Sequence, residues 1–510
     1  MIWSISQEAL KTRMKQRNEA HALLASLSSL VLGQCPNILD FHRDELSPIR
    51  RLPPEIIRII FLFWASDRHF FQSPTCVSPS VLTGVCVSWR NIAFGMPELW
   101  SLIVVEIRNG KFYPDKRTIE KWIKRSGSYA LSFSIEERDP LFHSNLTVRL
   151  GPVLRTLLYG DTNPDHSAES PVASMLNLFI PHHFRWQKIL LRYKNAWNGK
   201  VGFASLPRNA TYPLLEEVHL YENHSLWALE DVDRIKSMMI SAPRLHSISW
   251  LSQKSYATLA FPWEQLTHFT LGSPTVVDKG LCILATCPHL KSLELMLLPM
   301  FPVSNDGDPF VHNTLQHLHL SAVGNLAAFF DKVTLPALKN LSLSELHGTA
   351  PDPPIHLGRW PQSQFLAFLL RSGCNIEQFI IDECDISAED LAECLAHPQI
   401  SKSLGSLSIM EGHLKNLCVT DEVLRRLTYT PSETICPNLT AIKLWGCISA
   451  QDGKVADMVE SRWLFRTEGC PIMQLRTAVI GFSPGACHTE DWSRLVALNI
   501  KRFGITHSQL

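Results

Sequence analysis

Along most of this chain one phrase of apolar and polar positions returns: an apolar residue, two variable ones, an apolar residue, one variable, an apolar residue. It runs as LEEVHL from Leu215 to Leu220, LHSISW from Leu245 to Trp250 and LTHFTL from Leu266 to Leu271. LKSLEL spans Leu290 to Leu295, LQHLHL spans Leu315 to Leu320 and LKNLSL spans Leu338 to Leu343. IEQFII (Ile376 to Ile381), LGSLSI (Leu404 to Ile409) and LTAIKL (Leu439 to Leu444) complete the clear copies. WQKILL at Trp186 to Leu191 and LRTAVI at Leu475 to Ile480 are weaker ones.

The alternation at the end of each phrase predicts a short strand with one buried face, and its leading residue turns inward just before the strand. One copy cannot bury that face alone, but stacked copies can, with the strands forming a parallel sheet. The copies begin about 21 to 38 residues apart, many of them within the leucine-rich range. Several share a proline lead-in, as in CPHL (Cys287 to Leu290), LPAL (Leu335 to Leu338) and CPNL (Cys436 to Leu439). Proline there ends a preceding helix and sets up an extended chain.

Helical patterns fall between the phrases. Phe365 to Leu370 is one. Ser387 to Leu395 opens on SAED, a capping-box-like start. Asp421 to Leu427 follows Thr420, a candidate N-cap. The fold class expected is therefore α/β: an irregular leucine-rich-repeat solenoid of parallel strands with helices on its convex side, over residues 182–510. Thr349 to Gln362 is a Pro-rich insertion expected at the surface, and 101–181 reads as a connector or as degenerate first repeats, with strand-like ALSFSI at Ala130 to Ile135.

The pattern ahead of the repeats differs. RLPPEIIRIIFLFW, Arg51 to Trp64, predicts a helix opening on Pro53 and Pro54. Ile56, Ile57, Ile60, Phe63 and Trp64 form one apolar face, while Ile59 and Leu62 lie on others, so the helix needs cover from two sides. A further helical stretch, Ser80 to Phe94, contains VCVSWR (Val85 to Arg90) and stops at Gly95. Leu52-Pro53-Pro54-Glu55-Ile56 with Ile59, Ile60 and Phe61 resembles the start of an F-box. Val85 to Arg90 looks like its second signature, and Met96-Pro97-Glu98-Leu99-Trp100 completes a pattern similar to F-box proteins of mushroom-forming fungi. Those proteins often end in degenerate leucine-rich repeats.

The resemblance covers roughly Ser47 to Trp100, an all-α module over 47–100. It implies docking to a Skp-type adaptor and thence a cullin-RING ubiquitin ligase core, with the repeats holding an unknown protein target. Leu52, Pro53, Ile56, Ile60, Val85 and Trp89 match the family's adaptor-facing or module-core positions, two roles that sequence does not separate. One departure is the loop from Asp67 to Pro79, longer and richer in Pro and Ser than usual. A leucine-rich scaffold unrelated to ubiquitination is the competing reading, with the helices as an N-terminal cap on the solenoid. Within 1–46, Gln7 to Leu32 reads as a helix with Leu23, Leu24, Leu27, Leu30 and Val31 clustered late.

Composition narrows the partners. Lys plus Arg equals Asp plus Glu, 48 against 48, so nothing draws the whole chain to nucleic acid or an anionic membrane. The 13 cysteines show no CxxC pair and no zinc spacing, and read as small apolar residues in a reducing compartment. No signal peptide is legible from Met1 to Lys15, and the most apolar run, Ile56 to Ala65, is too short to cross a bilayer. A cytoplasmic or nuclear location follows as the expectation.

The residues between the buried strand positions are the candidates for target contact: His219, Tyr221, Glu294, Met296, His317, His319, Lys443 and Trp445. They mix both charges with apolar groups, which favours protein over nucleic acid. His317 and His319 share a face, but two histidines without a third ligand do not make a metal site; no metal, cofactor or catalytic residue is assigned. Gly481-Phe482-Ser483-Pro484-Gly485 matches G-x-S-x-G, with His488 and Asp491 nearby. Pro484 lacks the N–H that would help form an oxyanion hole, so a turn is expected rather than a hydrolase.

Overall fold

In the computed structural model the described residues are 49, 52–66, 79–138, 170–193, 202–221, 229–251, 261–298, 309–322, 326–345, 360–411, 417–430, 434–463, 472–483 and 487–498. The expected N-terminal helix, the loop 67–78, most of the Pro-rich insertion and the Pro484-Gly485 end of the G-x-S-x-G motif lie outside them.

Four helices come first: α1 (Pro54–Ser66), α2 (Ser80–Val85), α3 (Val87–Phe94) and α4 (Pro97–Trp100). The stretch 80–94 is thus two helices rather than one. Cys86 stands between them in extended conformation, and its Sγ accepts the Trp89 N–H that opens α3. A residue that caps the second helix cannot continue the first.

The chain then builds one sheet. Its strands are β1 (Leu102–Arg108), β2 (Lys111–Tyr113), β3 (Leu131–Arg138), β4 (Trp186–Arg192), β5 (Glu217–Tyr221), β6 (Ser247–Leu251), β7 (His268–Thr275) and β8 (Ser292–Leu297), then β10 (His317–Ala322), β12 (Asn340–Glu345), β13 (Gln378–Asp382), β14 (Ser406–Met410), β15 (Ala441–Trp445) and β16 (Thr477–Gly481). Among the described residues these fourteen strands lie in one sheet, ordered along the chain except that β2 flanks β1 at the edge. Every pairing is parallel except β1 with β2. A small separate pair joins β9 (Phe310–Val311) to β11 (Val333–Thr334). The segment 101–181 is partly in this sheet: β1 and β3 pair in parallel, and β3 continues onto β4.

Each clear phrase becomes a strand, and its leading residue is sealed inside. Leu215, Leu245, Leu266, Leu290, Leu315, Leu338, Ile376, Leu404 and Leu439 are all fully buried. A tight turn delivers most of them: the N–H of Leu215, Leu245, Leu266, Leu290, Leu338 and Leu439 bonds the carbonyl three residues back. Register then stacks like on like. Leu293, Leu318, Leu341, Phe379, Leu407 and Ile442 form one buried row, and Leu295, Leu320, Leu343, Ile381, Ile409 and Leu444 the next.

Helices fill the return paths: α5 (Lys116–Arg125), α6 (Pro171–Phe179), α7 (Leu229–Ile240), α8 (Val277–Thr286), α9 (Ala327–Lys332), α10 (Gln362–Ser372), α11 (Ala388–Ala396), α12 (Pro398–Ser401), α13 (Asp421–Leu427), α14 (Lys454–Trp463) and α15 (Thr489–Ala497). Ser387 caps α11 by accepting the Asp390 N–H at 3.0 Å. Thr420 holds the N-cap position of α13 but its side chain makes no capping bond.

Polar staples join successive units. Arg462, fully buried, donates to the carbonyls of Leu427, Ile435 and Cys436. The thiols of Cys384 and Cys447 reach back to the carbonyls of Leu343 and Ile409 at 3.6 Å. Burial holds both thiols well above their ordinary range, so they serve as weak donors. The described cysteines are all free.

Candidate interaction surfaces

The N-terminal helices turn apolar side chains both ways. Inward, Ile57 and Phe61 of α1 meet Trp89 of α3, with the Phe61 and Trp89 rings edge to face at 4.9 Å. Trp100 closes the base, donating its Nε1–H to the Ala93 carbonyl at 2.8 Å. Outward, Ile56, Ile59 and Leu62 of α1 and Val81, Val85 and Val87 of α2 and α3 are exposed, Val87 by 66%. With Phe94, whose ring lies under the Arg125 guanidinium at 4.1 Å, that makes seven of the sixteen exposed large apolar side chains among the described residues. Clustering of this kind marks a contact surface more often than single exposed apolar groups do.

The six residues singled out by sequence divide accordingly. Trp89 is buried and Leu52 packs against the core, so both hold the module together. Pro53, Ile56 and Val85 face outward, and Ile60 sits half-buried between. Ile59, Leu62, Val81 and Val87 were not among those six; for Ile59 and Leu62, which follow Ile56 at steps of three, that spacing was the available signal.

The sheet's open face carries the target candidates in three lateral rows. His219, Ser249, Thr270, Glu294, His319, Ser342, Ile380, Ser408 and Lys443 stand in register on one of them. His219 to Lys443 covers eight strand steps, roughly 38 Å at normal spacing. Tyr221, Met296 and Trp445 lie one row further along the strands, and His317 one row before, aligned across Ser292 with His268.

Several of these groups are already engaged. His219 is 7% exposed and its Nδ1 is 2.7 Å from Ser249 Oγ. Burial would raise the neighbouring Glu217, but His219 Nε2 at 3.6 Å and the hydrogen-bonded Lys188 ammonium take it down to about 2. Tyr221 lies under the Arg192 guanidinium at 4.6 Å, and Arg192 pairs with Glu136 at 3.5 Å. Met296 is buried, whereas Glu294 and His317 are exposed and His319 is half-buried. Burial, helped by His246 and His317, lowers His268; burial also lowers His317. These rings are therefore neutral at neutral pH and add no positive stripe. Trp445 lies over Gly481, where an added Cβ would sit 2.4 Å from the ring.

The sequence's hydrolase-like motif resolves into structural bonds. Ser483 donates its hydroxyl hydrogen to the Gly446 carbonyl at 3.1 Å, away from His488. His488 stacks on Phe482 and bonds Asp491 Oδ2 through Nδ1 at 2.9 Å. Asp452, His488 and Asp491 bring one ligand atom each within 4.8 Å of the others, yet their oxygens are in use. Asp491 Oδ1 accepts the Ala456 N–H of α14, and Asp452 accepts the Glu490 and Asp491 N–H groups of α15. Two aspartates thus cap each other's neighbouring helix starts.

No protein-family model matches the chain, and no curated protein matches it. The class that fold and surfaces define is an α/β protein built on one long, mostly parallel sheet with an all-α N-terminal part. Among the described residues no helix is long and apolar enough to cross a membrane.

Proposed function

We propose that the chain is the substrate-receptor subunit of a cullin-RING ubiquitin ligase. Its N-terminal helices form an F-box that docks a Skp-type adaptor, and its repeats form a leucine-rich solenoid whose open sheet face holds a protein target. The observation that carries the reading is the exposed apolar set Ile56, Ile59, Leu62, Val81, Val85 and Val87 on α1–α3, in the stretch whose sequence resembles an F-box. These side chains are 39–66% exposed, so covering each contributes on the order of 1 kcal/mol, enough for several together to drive association. The sheet face supports the second half: it is long, charge-mixed and without catalytic geometry in the described residues. In this reading the protein acts by holding two macromolecules together, with no cofactor of its own.

Co-elution of the full chain with a recombinant Skp-type adaptor tests it. A stable complex is expected, and Ile59→Asp should abolish it while leaving the free energy of unfolding within about 0.5 kcal/mol of the parent. An adaptor that never co-elutes with the folded parent chain leaves the scaffold reading in its place.

A further inference from the structure

Two strands, one on each side of β13, end in the same unusual way. In β12 the buried alternation Leu341, Leu343 continues onto Glu345. In β14 it runs Leu407, Ile409 and onto Glu411, just past the strand. Ser344, Asp382 and Met410 are in register, so Glu345, Glu383 and Glu411 occupy one equivalent position on three consecutive strands. Glu345 is 8% exposed and Glu411 5%. Glu345 Oε2 accepts the Asp385 N–H at 3.3 Å, but Glu345 Oε1 and Glu411 Oε2 are buried with no hydrogen-bond partner. Asp382, Glu383 and Asp385 stand beside them, half-buried.

Such an arrangement is costly as it stands. A buried carboxylate oxygen without a donor forfeits its hydration. Burial first, and then repulsion from Glu383, Asp385, Asp382 and Glu345, pushes Glu411 up to about 8. Glu345 rises to about 7, mainly through burial, with Asp385 adding repulsion. Nearby Cys384, Cys418 and Cys447 are held as neutral thiols by burial. A cation arriving at this place would relieve both costs at once.

Geometry decides which cation. Calcium wants six or more oxygens at about 2.3–2.6 Å. Among the described residues, no three of these carboxylates bring ligand atoms within 4.8 Å of one another. Glu345 and Glu411 start two strand steps apart, about 10 Å at the backbone. That gap suits a planar guanidinium, whose fork of N–H donors can serve two separated carboxylates. We propose that the carboxylates at the ends of β12–β14 receive an arginine side chain of a polypeptide target at the rim of the sheet, Glu345 and Glu411 swinging out of their present burial so that the guanidinium bonds Glu345 Oε1 and Glu411 Oε2. The inference rests on the reading of the repeats as the target-holding part, and not on the adaptor.

The test uses the full chain and three pools of labelled nonapeptides, random except for a central arginine, lysine or citrulline. At near-physiological salt the arginine pool should bind at least tenfold more tightly than the citrulline pool, with lysine weaker than arginine. Glu345→Gln with Glu411→Gln should erase at least tenfold of that preference, whereas Glu422→Gln, on α13, should not. Since glutamine removes the repulsion, the double variant should melt no lower than the parent; if it does not fold, Glu411→Gln alone serves. Equal binding of the arginine and citrulline pools, or an unchanged preference in the folded variant, overturns the proposal. So does a calcium-induced rise in the parent's melting temperature that the variant loses, because the site would then belong to a metal ion. Ile59→Asp should leave peptide binding untouched, so failure of the adaptor reading and failure of this one are separable.

Discussion

The N-terminal helices and the sheet handle apolar surface in opposite ways. In the sheet every phrase turns three apolar side chains inward, and the neighbouring strands cover them; Leu338, Leu341 and Leu343 are all sealed. In the helices the inward set is as tight, with Phe61 and Trp100 fully buried, yet a second apolar set remains outside. Repetition explains the contrast: a strand inside the sheet has like strands on both sides to continue its buried rows, whereas the N-terminal helices run out of neighbours. Apolar surface therefore reports core in one region and an unmet partner in the other.

Truncations sharpen this difference most. Leu343→Ala should cost about 2–5 kcal/mol in urea unfolding, because it opens a cavity between matched rows. Ile59→Ala should cost under about 0.5 kcal/mol in the same assay. Equal costs would mean that the outer helix face is core after all.

The sheet also differs from itself along its length, and pH exposes it. Glu411 lies near 8 in the folded chain against an ordinary 4.5, through burial and then its acidic neighbours. Between those values the folded state keeps a proton that the unfolded chain has released. Stability should therefore fall as pH rises from about 4.5 through about 8. Glu217 behaves oppositely: His219 close by and the hydrogen-bonded Lys188 outweigh its burial and hold it down at about 2. Its contribution is present above pH 4.5 and lost as pH falls toward 2. Melting temperature against pH should peak near pH 5, and Glu411→Gln should flatten the alkaline limb, an effect of roughly 3–5 kcal/mol. An unchanged alkaline limb in that variant would show that Glu411 is solvated.

A smaller effect tests the helical side of the sheet. Ser387→Ala removes the bond to the Asp390 N–H and should cost about 1 kcal/mol, whereas Thr420→Ala, whose side chain makes no capping bond, should cost a few tenths at most.

Much of this was legible. The strands and their sealed leading residues follow from the period, and the Ser387 cap follows from SAED. The same alternation that buried Leu341 and Leu343 also pointed Glu345 inward, a signal present in LSLSE and passed over because glutamate is not a core residue. Two features were hidden for physical reasons. On a helix apolar nearly all round the buried face is ambiguous: the spacing put Ile56, Ile57, Ile60, Phe63 and Trp64 on one face, whereas Ile57 and Phe61 are the sealed pair and Ile56 is exposed. Cys86 breaks 80–94 through a thiol cap, and nothing in VCVSWR distinguishes that from continuous helix. The engagement of His219 with Ser249 depends on cross-strand register, which single strands do not reveal.

Hydrogen exchange of the full chain, with and without a Skp-type adaptor, tests the central claim most directly. The account predicts new protection across residues 54–66 and 80–94 and unchanged exchange in the strands from 292 to 345. Protection that falls on the sheet instead, or nowhere, would contradict it.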